Sequence, residues 1–251
     1  MSKVSIITSF FNGSKYFNET FSSVVNQSFK SFEWIIVDDG SDPDEKLYLK
    51  HLVEKDERIR LFELDQNSGA GAARNLGIRN AVGRFITFID SDDVWELNRI
   101  EKHLSYMVHN NAVFSHSSYG YITSDGRILS KTLIVSSKPV NYYGLLRRTE
   151  ISCLTAIYDA KVLGKQYMSL DRRKQDYALW LKILSLGYTS LPFKEITAYY
   201  RQHEDSATSK KWKLFFKHYV FLRKSQNLSI IESSYFTFIW AINGVFRYYI
   251  K

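Results

Sequence analysis

Strand-length apolar runs and helix-like stretches alternate through the first part of the chain, and this alternation leaves few folds open to it. The runs are "VSIIT" at 4–8, "EWIIV" at 33–37, "IRLFEL" at 59–64 and "FITFI" at 85–89, and the stretches between them, 15–26, 44–55 and 70–81, read as helices. Apolar residues at consecutive positions mark strands covered on both faces, so the pattern predicts βαβ units and a parallel sheet flanked by helices. The first run turns at Asn12-Gly13 with no small-residue cleavage site, which reads as a strand and not as a signal peptide. In such a sheet the loops at the carboxyl ends of the strands share one edge, and ligands bind there.

Two acidic loops fall on that edge. Asp38 and Asp39 follow the second run, and Asp90, Ser91, Asp92 and Asp93 follow the fourth. "DDGS" alone reads equally well as a turn. Two carboxylate clusters on one edge repel each other unless a cation or a set of donors is shared between them. Oxygen ligands without accompanying cysteines suit Mg²⁺ or Mn²⁺, and such an ion commonly bridges a diphosphate. The glycine-rich "NSGAGAARNLG" at 67–77 opens the third helix but carries Arg74 where a dinucleotide fingerprint needs its third glycine. It also follows the third strand instead of the first, so nicotinamide and flavin chemistry is disfavoured, while Arg74 and Asn75 suit the neighbourhood of a nucleotide.

The second half changes character. "VFSHSSYGYI", a turn at 124–127 and "ISCLTAIY" predict a mixed or antiparallel extension, a helix follows over 175–186, and the chain after Ser209 reads as helical. Leu179, Ile183 and Leu186 give the 175–186 helix a core face, and Asp176 stands near its start, where the dipole favours an acid. With 251 residues, 45% hydrophobic, the chain can bury one large domain, expected over 1–208, with a helical appendage over 209–251. Its one cysteine, Cys153, cannot form an internal disulfide, so a reducing cytoplasm is the default, and no apolar run approaches the roughly eighteen residues needed to cross a bilayer.

The net charge of +8 is concentrated at the end: from residue 209 on, eight Lys or Arg face the single acid Glu232. The main body is close to neutral, which argues against a broad nucleic-acid face. On a helical wheel Trp212, Phe215, Phe216, Tyr219 and Leu222 share one face, with Lys210, Lys213, Lys217 and Lys224 nearly opposite. That pattern fits a basic helix lying on an anionic membrane, or a helix packed on the body with its lysines in solvent.

Taken in order, "VSIITSFFNG", "WIIVDDGSDP", "GAARNLGI", "FIDSDD", "QDYALWLKI" and "YRQHEDSAT" resemble the family 2 glycosyltransferases, inverting enzymes of the GT-A fold, across residues 3 to 209. The resemblance implies an α/β, Rossmann-like, mostly parallel sheet with a nucleotide-sugar half over about 1–110 and an acceptor half over about 111–208. By the same resemblance Thr8, Phe10 and Asp39 contact the base and ribose of the donor, Asp38 supports their loop, and Arg74, Asp90, Ser91 and Arg201 complete the donor set. Asp90 and Asp92 are the outer acids of a metal-binding D-x-D motif for Mn²⁺ or Mg²⁺, Asp92 the more direct ligand, with His203 as an added ligand. Asp176 falls at the position of the catalytic base.

Gln175 replaces the usual glutamate before that base, and the Gln-x-x-Arg-Trp motif of processive synthases is absent. For a chain of this size and type the resemblance implies extension of a lipid-linked sugar diphosphate at the inner face of a bacterial membrane, in surface-polysaccharide synthesis; a UDP-hexose is the expected donor and an undecaprenyl-diphosphate-linked sugar the expected acceptor. A peripheral, cytoplasmic protein is therefore expected. Two other readings remain: a metal-dependent nucleotidyltransferase, and a catalytically silent nucleotide-sugar-binding scaffold, the latter disfavoured by intact Asp90, Asp92 and Asp176.

Overall fold

The apolar runs form the strands expected of them. In the computed structural model, which describes residues 3–203 and 211–249, the chain begins with β1 (Val4–Phe10), α1 (Ser14–Val25), β2 (Phe32–Asp38), α2 (Pro43–Val53), β3 (Ile59–Glu63), α3 (Ala70–Asn80) and β4 (Phe85–Phe88). These four strands pair in parallel in the order β3-β2-β1-β4. Successive side chains of a strand point to opposite faces. Ile7, Ile35 and Phe88 therefore join α3 in one core, while Val4, Ile6, Trp34 and Phe85 join α1 in another.

The second half adds β5 (Val94–Trp95), α4 (Arg99–His109), β6 (Phe114–Ile122), β7 (Ile128–Leu133), α5 (Tyr142–Arg147), β8 (Ile157–Asp159), α6 (Ala160–Leu163), α7 (Gln175–Ser185) and β9 (Ser190–Arg201). They continue the sheet as β4-β8-β6-β9-β5, with β7 paired to β6. β8 runs antiparallel to both β4 and β6, and β9 runs parallel to β6, so the extension is mixed as expected. "ISCLTAIY" is not one strand: Cys153–Thr155 form a 3₁₀ turn, and only Ile157–Asp159 pair in the sheet. The Leu154 carbonyl is taken by side chains, the Trp95 indole N–H and the Arg99 guanidinium at 3.1 Å each, in place of a neighbouring strand.

Two helices end the described chain, α8 (Lys211–Ser225) and α9 (Ile230–Tyr249), and both pack on the body. The inward face of α8 carries His218 and Leu222, both fully buried, whereas Phe216 is 65% exposed. The aromatic face expected for this helix is therefore divided: Leu222 turns inward and Phe216 outward. The side chains of Lys210, Trp212 and Lys213 lie outside the described residues. α9 lies against α5 and the loop after it, with Phe236 stacked on Tyr143 and the Trp240 indole donating to Thr149 Oγ1 at 3.0 Å. Among the described residues no helix is long and apolar enough to cross a membrane.

Candidate active site

β1, β2 and β4 end at one edge, and their terminal residues bind one another's loops. The Asp39 amide donates to the Phe10 carbonyl at 2.8 Å, and its two carboxylate oxygens accept from the amides of Ser68 and Gly69, also at 2.8 Å. Gly40 makes this docking possible: its φ of +75° is left-handed, and a Cβ there would lie 2.6 Å from the Gln66 carbonyl carbon. Asp38 accepts from the Ser41 amide, closing the turn. Thr8 Oγ1 donates to the Ile89 carbonyl and accepts from the Trp34 indole, both at 2.9 Å, which ties β1 to the second acidic loop.

The side chains of Thr8, Phe10, Asp38 and Asp39 are all buried. Phe11, which the sequence reading passed over, is exposed at this edge.

The acidic loop is held by two buried arginines. Arg201 is fully buried and donates to the carbonyls of Asp92, Thr123 and Ser124 and to Glu19 Oε2, while its amide donates to Asp93 Oδ1 at 3.0 Å. With its guanidinium nitrogens engaged in this way, Arg201 shapes the loop around the expected donor site. Arg74 is nearly as buried and pairs with Asp90. Burial opposes its charge, but the neighbouring groups, Asp90 foremost and Asp176 among them, hold its pKa above the ordinary value. A guanidinium of the chain itself thus relieves part of the charge at Asp90.

Asp93 is fully buried, with its Oδ2 unpartnered; burial, then Asp90 and Asp92, push its pKa well above the usual carboxylate range. Thr20 Oγ1 donates to the carbonyls of Ser91 and Asp93, which fixes Ser91 by its backbone. Asp92 and His203 face outward, one-third and 37% exposed, with Oδ2 and Nε2 2.6 Å apart. Tyr200, another residue not singled out in the sequence, lies beside this loop, and its pKa is pushed up to about 12 by burial and then by Asp93, Asp92 and Asp90.

Asp176 occupies the first turn of α7, close to the start of α3. Gly71 permits that approach, since a Cβ there would stand 2.7 Å from the Ser169 carbonyl oxygen and 2.8 Å from the Gln175 side chain. Burial raises the Asp176 pKa, against the opposing pull of the Arg74 guanidinium, and Asp90 adds to the rise. Arg74 therefore couples the expected base to the expected D-x-D motif. Asp171, the other carboxylate near α7, lines a separate cavity of about 520 Å³ with Tyr142, Lys182 and Gln226.

Among the described residues no three carboxylate, imidazole or thiol groups converge as a preformed metal cage. The Asp92–His203 pair still fits Mg²⁺ or Mn²⁺, ions commonly held by one or two protein ligands with substrate phosphates and water completing the shell.

Comparison with known proteins gives the family of the chain. A family model described as Glycosyl transferase family 2 matches residues 5–168. The Bacillus subtilis (strain 168) protein TuaG, named as a teichuronic acid biosynthesis glycosyltransferase, is 36% identical over 96% of this chain and 96% of its own. Escherichia coli WfaP, named a UDP-Glc:alpha-D-GlcNAc-diphosphoundecaprenol beta-1,3-glucosyltransferase, is 34% identical over 99% of this chain and 96% of its own. The crystal structure of S. aureus TarS 1-349 in complex with UDP-GlcNAc superposes with a TM-score of 0.70 at 19% identity, covering 98% of this chain and 73% of that one, and shares the GT-A-like arrangement of a central sheet flanked by helices. With a family model over more than half its length and full-length relatives above 30% identity, the chain belongs to glycosyl transferase family 2.

Proposed function

We propose that the protein transfers a hexose from a UDP-sugar, with inversion, to a hydroxyl of an undecaprenyl-diphosphate-linked sugar in cell-surface glycan synthesis. The observation that carries this reading is the buried Arg74 of α3, which pairs with Asp90 of the acidic loop while the same helix packs at Gly71 against Gln175, the neighbour of Asp176, whose pKa is raised by burial. The name of WfaP supports the choice of donor and acceptor.

Asp176 takes the proton of the acceptor hydroxyl as its oxygen bonds to the anomeric carbon. The bond from that carbon to the diphosphate oxygen breaks on the opposite face, and its electrons leave with the diphosphate. A base is most effective when its pKa lies near the working pH, so the upward shift of Asp176 favours this role. Asp92 and His203 would hold Mn²⁺ or Mg²⁺, which when bound neutralises charge on the departing diphosphate. Thr8, Phe10, Asp38, Asp39 and Arg201 act by fixing the loops around the donor. Ser91 and the backbone at the end of β1 line its berth. α8 and α9 keep the protein peripheral at the inner face of the membrane that carries the acceptor.

The test pairs a panel of UDP-hexoses with a synthetic short-chain lipid diphosphate-linked N-acetylglucosamine. A glycosidic product with release of UDP is expected, and Asp176→Asn should lose roughly two to four orders of magnitude in turnover while donor affinity by calorimetry is kept. Release of pyrophosphate would show a nucleotidyltransferase, and near-normal turnover of Asp176→Asn would falsify the base assignment.

A further inference from the structure

A second cavity, about 380 Å³, opens between the β6–β7 hairpin, the loop after α5 and helix α9, with Tyr119, Tyr121, Lys131, Arg148, Thr149 and Trp240 in its walls. We propose that this groove is the acceptor subsite and takes a sugar 1-diphosphate, the rings of Tyr121 and Trp240 carrying the sugar and Lys131 with Arg148 meeting the diphosphate. The assignment rests on the glycosyl-transfer reading above and adds the place where the second substrate sits.

The lining suits that chemistry. It holds three aromatic rings and two cations and no carboxylate, in contrast to the acidic loop, and its volume is in the range of small-molecule sites. A flat ring offers the apolar face of a pyranose a large contact with little side-chain entropy to lose, and a guanidinium matches phosphate oxygens with paired N–H donors. The Lys131 ammonium lies 4.4 Å from the centre of the Tyr121 ring, so charge and platform occupy one spot.

Two walls of the groove lead toward the candidate site. The Tyr121 ring is 6.0 Å from that of Tyr200, whose neighbour Arg201 donates its amide to Asp93 Oδ1 of the acidic loop at 3.0 Å. On the opposite wall Trp240 stacks on His218 at 4.2 Å and lies 5.2 Å from the Lys174 ammonium, two residues before Asp176. A sugar seated here is thus bounded by one wall that leads to the acidic loop and by another that leads to Lys174, just before the helix that carries Asp176.

Gly244 supplies a clean test, because it lines the groove and a Cβ there would meet nothing within 4 Å. Gly244→Leu fills the space while improving helix propensity, so the fold is kept. With the lipid diphosphate-linked N-acetylglucosamine probe, Gly244→Leu is expected to raise the acceptor KM by about tenfold or more, with the donor KM of wild type and a melting temperature no lower than wild type, and Arg148→Gln is expected to raise the acceptor KM by about tenfold. Calorimetric binding of the same probe should weaken in parallel. Unchanged acceptor KM and unchanged probe binding in both variants would overturn the groove as the subsite. If the wild type binds the probe, and Gly244→Leu does not, but no UDP-hexose is transferred to it, the groove stands and the glycosyl-transfer reading of the centre fails.

Discussion

Lys174 stands with φ +55° at the left-handed position just before α7, where its ammonium is enclosed by the rings of Tyr177, Phe221 and Trp240 at 5.2 to 5.6 Å and hydrogen-bonds to His218 Nδ1. Burial lowers its pKa to about 8, and the Asp176 carboxylate pulls in the other direction. His218 stays neutral as an acceptor, with burial and then Lys174 lowering its pKa to about 3. A lowered folded-state pKa means that between about 8 and the unfolded value of 10.5 the unfolded chain binds the extra proton, so stability from this group rises with pH across that window and is lost as pH falls through about 8. Lys174→Met should remove this component. In urea titrations at pH 7 and pH 10, the difference in stability between wild type and variant should shift in favour of the wild type at the higher pH; an equal difference at both would show that the lysine titrates normally.

Helix α9 shows how much of an element can be read before its neighbours are known. Its apolar composition is plain in the sequence, but which residues turn inward depends on α5: Ser233, Phe236 and Thr237 are buried, while Ile231, Tyr235 and Phe238 point outward. Phe236→Ala should therefore lower stability by about 3 kcal/mol, as expected for a buried aromatic, whereas Phe238→Ala should change it by less than about 0.5 kcal/mol; chemical denaturation of the two variants compares them directly. The same dependence on distant partners separates what was legible from what was not. β1, β2, β3 and β4 and the helices between them follow from continuous apolar runs that demand cover on both faces. Cys153–Thr155 left the sheet because Trp95 and Arg99 satisfy the Leu154 carbonyl, a choice made by residues more than fifty positions away. At the candidate site the sequence pattern placed Asp39, Asp90 and Asp92 on one edge. It did not show that Arg201 would be spent on Asp92, Thr123, Ser124 and Glu19, since those partners lie up to 182 positions apart and compose no local signal.

On the scale of the whole molecule, charge and exposed apolar surface are concentrated in the same region. Residues 209–251 hold eight basic residues against one acid, almost the entire net charge of +8, and the described outer surfaces of α8 and α9 present Phe216, Ile231, Tyr235 and Phe238. Positions 231, 235 and 238 follow the spacing of one helical face, and that face is turned away from Phe236 and the body. A helix pair packed on the enzyme by one side, with these apolar side chains and the described Lys217, Arg223 and Lys224 exposed, leaves a surface that an anionic membrane could contact. An anionic bilayer attracts each basic residue near its surface by roughly 1 kcal/mol, and each large apolar side chain it buries adds about 1.5 to 3 kcal/mol. Binding should accordingly be strong to vesicles rich in anionic lipid at low salt and weaken as the Debye length shortens toward about 8 Å at physiological ionic strength. The double variant Ile231→Ser, Phe238→Ser should sediment less with those vesicles, keep its denaturation midpoint because both positions are exposed, and retain its activity on a short-chain, water-soluble acceptor. Sedimentation identical to wild type at every salt concentration would mean that this face does not enter the membrane, and that the surplus charge of the tail serves the protein in solution.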